Sequence, residues 1–300
     1  MPHIPVLLNE VITGLDIKPN DVFFDGTING GGHSEAVARK LDERGVIVGT
    51  DLDINAIAKA KERLKESKAK IILRQASFRN LDSVLAETKV TAMDKILLDL
   101  GLSSNQLDES GRGFSFQKDE PLLMTFKNNP GPTDLTADEI VNKWDEVNIA
   151  QIIESYGEER FAKKIAHGIV IERRKKEIKS TAELIEIIKK VLPKSRAYKK
   201  LHPATKTFQA LRITVNDEIG ALKEGLKKGF ERLNIKGRMA VISFHSTEDR
   251  TVKNFFKWLA NEEVGRIITK KPITPSKEEF SENPRSRSAK LRIVEKIKNP

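Results

Sequence analysis

Between Val22 and Asp99 the chain alternates short, continuously apolar segments with stretches of helical period, and few architectures accept that rhythm. Val22-Phe23-Phe24-Asp25 gives way to a helical pattern from Ser34 to Leu41, then to Val46-Ile47-Val48-Gly49-Thr50-Asp51. A helical stretch from Ile54 to Leu64, the run Ile71-Ile72-Leu73 and the run Lys95-Ile96-Leu97-Leu98-Asp99 complete the series. A strand that is apolar at every position has to be covered on both faces. Amphipathic helices between such strands therefore predict an α/β fold built on a parallel sheet.

The rhythm stops after Asp99, and Asn128-Asn129-Pro130-Gly131-Pro132 carries no strand pattern. Helical periodicity takes over in Thr136 to Trp144, Ile149 to Arg174 and Thr181 to Val191, with Thr181 as a start signal and Pro193 as a stop. A longer helix is expected over Thr205 to Leu233, before strand character returns in Gly237-Arg238-Met239-Ala240-Val241-Ile242-Ser243-Phe244. Val264 to Thr269 and Leu291 to Glu295 read as a hairpin closing the sheet edge. The 300 residues thus divide into a sheet domain over 1–111 and 201–300, interrupted by a helical insertion over 112–200.

Charge is concentrated in the helical block. Tyr156 to Arg212 holds 16 Lys/Arg against 6 Asp/Glu, which is the whole net charge of +10. A localised basic surface suits a polyanion, since neutralising phosphates releases condensed counterions; a solvated lysine-rich helix face would look the same from charge alone. No apolar run approaches a membrane span and no export segment is seen, so the expectation is a cytoplasmic protein without a membrane partner. The absence of cysteine excludes thiolate nucleophiles, disulfides, iron–sulfur clusters and cysteine-ligated zinc.

The loop after the first strand, Asp25-Gly26-Thr27-Ile28-Asn29-Gly30-Gly31-Gly32-His33, contains four glycines and lies where open parallel sheets bind ligands. Its spacing fits neither the dinucleotide fingerprint nor a phosphate loop. Asp51, ending the second strand, is placed to accept hydrogen bonds from ribose hydroxyls, while Asp53 is the better cap for the helix beginning at Ile54. An adenosine ligand without phosphates is implied, and S-adenosylmethionine fits that description.

Asp99 ends the fourth strand and is followed by Ser103, Ser104, Asn105 and Gln106, placing polar groups over the expected methyl group. A carboxylate there can orient an exocyclic amine and help remove its surplus proton. Without cysteine, covalent attack on a cytosine ring is excluded, leaving nitrogen or oxygen acceptors. Phe114, Phe116 and Phe244 are candidate stacking faces, although each is more often a core residue than a base platform. His245 also points toward the site mouth. A helix start in which Ser246 caps and Asp249 completes a capping box explains its neighbours, and leaves His245 between substrate contact and hydrogen-bonded structure.

The ordered motifs resemble the bacterial small-subunit rRNA cytosine-N4 methyltransferase family (RsmH, formerly MraW) over almost the whole chain. They are His3-Ile4-Pro5-Val6-Leu7-Leu8, Asp25-Gly26-Thr27 with Gly30-Gly31-Gly32-His33-Ser34, and Leu97-Leu98-Asp99-Leu100-Gly101 with Ser103-Ser104 and Gln106-Leu107-Asp108. Arg112-Gly113-Phe114-Ser115-Phe116, Tyr156-Gly157-Glu158-Glu159-Arg160, His202-Pro203-Ala204-Thr205, Ser243-Phe244-His245-Ser246 and Asn283-Pro284-Arg285-Ser286-Arg287-Ser288 continue the series.

The resemblance implies a Rossmann-like class I S-adenosylmethionine-dependent methyltransferase sheet with an inserted all-helical subdomain, N4-methylating a cytidine in the decoding region of 16S rRNA. By the same resemblance the cofactor residues are Gly31, Gly32, His33, Asp51, Phe78, Asp99 and Gln106; no metal is expected. Asp99 and His245 are the catalytic candidates, and the basic insertion is expected to hold 16S rRNA or the small ribosomal subunit. Where the family usually reads Asp-Gly-Pro-Leu-Asp-Met-Arg-Met, this chain has Asp119-Glu120-Pro121-Leu122-Leu123-Met124-Thr125-Phe126, without a carboxylate at 123 or a cation at 125. That departure motivates an alternative, a ribosome-assembly factor that binds cofactor and RNA without efficient catalysis. A DNA amino-methyltransferase is a further alternative, although the Asp-Pro-Pro-aromatic motif is absent. A monomer and a homodimer both remain open.

Overall fold

A computed structural model describes residues 5–101, 110–127, 130–193 and 202–299. Two compact units are present: one joins 1–101 to 219–300, and the other is 102–218.

The first unit is built on a seven-stranded sheet. Its strands are β1 (Val22–Asp25), β2 (Val46–Asp51), β3 (Lys70–Gln75), β4 (Met93–Asp99), β5 (Leu233–Ser243), β6 (Gly265–Ile267) and β7 (Lys290–Lys296), in the order β3-β2-β1-β4-β5-β7-β6. The first five run parallel, and β7 is antiparallel to both β5 and β6. Helices α1 (Leu8–Leu15), α2 (Gly32–Ala38), α3 (Ile54–Arg63) and α4 (Leu81–Thr88) belong to the N-terminal half of this unit.

The continuous apolar runs are explained by strand period. Phe24, Val48, Ile96, Leu98, Met239 and Val241 point into one core, and Phe23, Ile47, Leu97, Ala240 and Ile242 into another on the opposite face. The expected hairpin is present, and it places β7 inside the sheet with only the three-residue β6 outside it.

The second unit comprises α5 (Ala137–Lys143), α6 (Glu146–Ser155), α7 (Ala162–Arg173), α8 (Thr181–Val191) and α9 (Thr205–Asn216) around one apolar core. It extends beyond the expected 112–200 because α9 packs on α6 and α5, contributing Phe208, Ala210 and Leu211 to that core. Two expected helices are broken. The stretch 149–174 is divided between α6 and α7, with Glu158 in the left-handed region at φ 51°. The stretch 205–233 is divided at Asp217 (φ 44°) into α9 and α10 (Glu218–Glu231), so a single left-handed residue interrupts a pattern whose apolar spacing reads as continuous.

Thr181 is not the cap of α8. Ser180 caps it, and the Thr181 hydroxyl donates to Lys118 O (2.7 Å) while accepting from Glu120 N (3.0 Å). The divergent 119–126 segment is tied into this unit's interior: Leu122, Met124 and Thr125 are buried and Phe126 stacks on Phe114 at 5.7 Å. Back in the first unit, α11 (Ser246–Asn261) and α12 (Lys277–Glu282) follow β5 and β6. Among the described residues no helix is long and apolar enough to cross a membrane.

Candidate active site at the strand ends of the first unit

Parallel pairing brings the carboxyl ends of β1, β2 and β4 to one end of the sheet, each finishing in an aspartate: Asp25, Asp51 and Asp99. The loop after β1 is fixed from both sides. Gly26 N donates to Leu97 O (2.9 Å), the Thr50 hydroxyl donates to Gly26 O (3.0 Å), and Ile28 N donates to Thr50 O (2.9 Å). A Cβ at Gly26 would run into Leu98 and Phe78, so a side chain fits there only if those neighbours shift. Asn29, Gly30 and Gly31 then run through the left-handed region at φ 48°, 92° and 84°, and Gly31 passes close to α3, where a Cβ would sit 3.2 Å from Ala60 Cα. Backbone rather than side chains thus lines this part of the site.

The carboxylates differ in their partners. Asp51 accepts from Asn29 N (3.0 Å) and Asp53 N (2.9 Å), which locks its orientation, and burial raises its pKa. Asp53 caps α3 through Asn55 N, as expected. Asp25 is enclosed, accepting from the Ser34 hydroxyl (2.6 Å) and Thr27 N (3.2 Å), and its carboxyl is pushed up to about 6 by burial. Asp99 is also buried, and desolvation, with a smaller push from the Glu248 charge, drives its carboxyl up to about 7. Its backbone N donates to Thr27 Oγ1 (2.6 Å), whereas Asp99 Oδ1 has no hydrogen-bond partner among the described residues. A buried carboxylate oxygen left without a donor is costly unless something else supplies one.

His33 is buried with Nε2 2.9 Å from the Val6 carbonyl, which fixes the proton on Nε2 and leaves the Nδ1 lone pair facing Asp99. Burial lowers its pKa, so the ring is held neutral. Phe78 lies on a 3₁₀ turn after β3, its Cβ against Gly26 and its ring against Gly225 of α10. It is partly buried against the core, yet borders the glycine loop.

Of the three phenylalanines, Phe114 and Phe116 belong to the helical unit, Phe116 stacking on His202 at 4.5 Å, while Phe244 packs against Gly101 beyond Asp99. Gln106 and residues 103–105 lie outside the described residues.

The helix start after β5 differs from the expected one. His245, not Ser246, is the cap of α11, and Glu248, not Asp249, completes the box. Glu248 N donates to His245 Nδ1 (3.3 Å), and Glu248 Oε2 accepts from Phe244 N (2.8 Å) and His245 N (3.3 Å). His245 Nε2 is 3.1 Å from Glu248 Oε1, an ion-pair separation without hydrogen-bond alignment. Asp249 instead pairs with Arg292 (2.6 Å) and Lys290 (3.3 Å). Histidine is outside the usual set of capping residues, so the pattern led to Ser246. Thr27 and Glu248 are the residues that sequence reasoning left without a role. A Glu three residues after a polar strand end was the available signal for Glu248; Thr27 had none beyond its place in the loop.

The donor set fits an adenosine-type methyl donor: a glycine loop, a fixed carboxylate for a ribose diol and, beyond them, a buried carboxylate oxygen without a partner among the described residues. A family model described as the MraW methylase family matches residues 1–297. The chain belongs to that family.

Among curated MraW-family relatives, "Ribosomal RNA small subunit methyltransferase H" of Clostridioides difficile is 44% identical, the alignment covering 98% of this chain and 99% of that protein. The proteins of the same name from Heliobacterium modesticaldum and Brevibacillus brevis are 46% and 42% identical, with 99% and 98% of this chain covered and 99% and 98% of theirs.

Proposed function

We propose that the protein transfers a methyl group from S-adenosylmethionine to N4 of a cytidine in the decoding region of 16S rRNA. The observation that carries this reading is Asp99: a buried carboxylate at the strand end, with Oδ1 free of partners among the described residues and a glycine loop beside it. When bound, S-adenosylmethionine supplies an electrophilic methyl group on a positively charged sulfur.

Asp51 would accept from the ribose hydroxyls, the backbone at Gly31 and Gly32 would admit the ligand without a side chain in the way, His33 would line the floor and Phe78 would face the adenine. Gln106 belongs to this cofactor set by family resemblance. Asp99 Oδ1 would accept one N–H of the cytosine amine, turning the nitrogen lone pair toward the methyl group and holding the proton that nitrogen must lose. A carboxyl near 7 suits that task, because the group can both accept and release a proton at neutral pH. His245 is assigned a positioning part: it anchors the start of α11 and keeps Glu248 buried near Asp99.

The helical unit, inserted over 102–218 between the two parts of the sheet unit, is the proposed holder of the rRNA. Arg160, Lys163 and Lys164 are exposed around α7 and make no ion pair with a carboxylate among the described residues; Arg160 instead lies 4.5 Å over the Phe161 ring. Several other lysines of this unit are paired, such as Lys176 with Glu183 (2.6 Å), which makes the α7 group the stronger phosphate contact. A ribosomal RNA substrate is met in the cytoplasm.

The test is methyl transfer from labelled S-adenosylmethionine to small ribosomal subunits from cells lacking this activity, followed by nucleoside mass spectrometry. N4-methylcytidine is the expected product. Cofactor binding without label in competent subunits would replace this reading with a non-catalytic assembly factor.

A further inference from the structure

Residues 277–288 form an exposed, cation-bearing edge at the mouth of the site in the first unit, and neither the cofactor nor the catalytic reading uses them. Antiparallel pairing of β7 with β5 sets Lys290 opposite Ser243, so the chain enters β7 at the same sheet end at which Asp25, Asp51 and Asp99 stand. Immediately before it lies a 3₁₀ turn, Pro284–Ser288. Its inward positions are Ser286 and Ala289, three residues apart as this helix type requires, and both are buried. Arg285 and Arg287 are thereby left on the exposed side.

Helix α12 precedes this turn and divides its faces in the same way. Glu279 is turned inward and accepts from Leu7 N (2.7 Å), one residue from the Val6 carbonyl that holds His33. That bond ties α12 to the segment that supports the site. Lys277 and Phe280, at a spacing of three, share the outer face, while Glu278 and Glu282 share another. Phe280 is a large apolar ring left 42% exposed.

We infer that Lys277, Phe280, Arg285 and Arg287 form a second RNA contact on the methyltransferase unit itself, gripping single-stranded RNA next to the nucleotide in the site. The inference rests on the rRNA reading proposed above and adds the surface that holds the flanking nucleotides. Guanidinium forks match phosphate oxygens in two-point geometry, and an exposed aromatic ring offers a stacking face to an unpaired base. A base presented to a buried carboxylate has to leave its stack, so its neighbours need a substitute platform at the mouth.

The test compares the full chain with R285A/R287A, F280A and the charge-keeping R285K/R287K. The probe is a short cytidine-containing single-stranded RNA, its binding followed by fluorescence anisotropy across a salt series, with S-adenosylmethionine affinity measured by calorimetry on each variant. R285A/R287A should weaken RNA binding at least about tenfold and flatten the log–log salt slope by roughly 1.4, about 0.7 per lost phosphate contact. F280A should weaken binding without changing the slope, and R285K/R287K should restore the slope. Wild-type RNA affinity and slope in R285A/R287A overturn the inference.

Should the alanine variants also lose cofactor affinity, photo-crosslinking of the RNA to the unaltered chain decides. Attachment within 277–288 supports the contact, and attachment confined to other peptides overturns it. The two readings fail separately: crosslinking here without methyl transfer to subunits removes the catalytic reading alone, and methyl transfer with unaffected R285A/R287A removes this contact alone.

Discussion

His33 Nδ1 lies 3.8 Å from Asp99 Oδ2, with both side chains 7% exposed. The ring is held neutral by burial, and its bond to the Val6 carbonyl keeps the proton on Nε2, so Nδ1 offers a lone pair, not a positive charge, to the carboxylate. Burial outweighs the backbone hydrogen bond from Gly101 that favours the ionised carboxylate, and the acidity of Asp99 becomes the variable to which the proposed reaction is most sensitive.

Activity should rise with pH through the neutral range. The form of Asp99 that accepts the amine N–H is the carboxylate, and burial places its pKa at about 7 in the free protein. Below that value the ionised fraction falls about tenfold per pH unit, so kcat/KM should show an ascending limb centred near 7. The limb in kcat should sit lower, since a bound sulfonium favours the carboxylate. A flat kcat/KM profile from pH 5.5 to 8 would remove Asp99 from its role.

Asp99→Asn should abolish methyl transfer and at the same time stabilise the fold. A carboxyl raised from 3.8 to about 7 binds a proton more tightly when folded, so its contribution to stability is present below pH 4 and is lost as pH rises through 7. At pH 8 the neutral amide avoids that penalty, by up to roughly 4 kcal/mol. Urea melts at pH 8 and pH 4 check this: the gain should be large at the first and small at the second.

Glu248→Gln should shift the pH profile downward while weakening the fold. The carboxylate accepts from two backbone amides and its charge raises Asp99, so removing the charge lets Asp99 ionise more readily. Loss of charge-assisted capping is expected to cost about 1–3 kcal/mol. An unchanged kcat/KM limb would mean that Glu248 acts only on the helix.

Asp51→Asn should weaken S-adenosylmethionine binding by one to two orders of magnitude and lower the melting temperature modestly, since one of the two backbone amides bound by Asp51 loses its acceptor, measured by calorimetry and thermal unfolding. The substitution keeps the size of the side chain and one acceptor, but removes the charge that would face the ribose diol. Gly26→Ala should also reduce both, because its methyl group would meet Leu98 and Phe78 inside the core.

The parallel sheet, the glycine loop and the three strand-end aspartates were all legible, because a strand covered on both faces leaves an apolar run and a tight backbone turn leaves glycines. Breaks within helices were not. Asp217 adopts a left-handed conformation that interrupts no apolar spacing, so α9 and α10 read as one helix. The cap of α11 was misassigned because a histidine took the place that serine usually takes. The place proposed for His33 was legible only through family resemblance: the Val6 carbonyl that orients its ring is linked to it by no local pattern.

The position of β7 has a consequence for biosynthesis. The strand is the last in the chain but sits between β5 and β6, and it supplies a ladder to each. While a ribosome still holds residues 290–296 in its tunnel, β5 has an open edge and β6 has no partner in the sheet. A stop codon upstream of Lys290 would thus remove the central seam of that half of the sheet, not merely its rim.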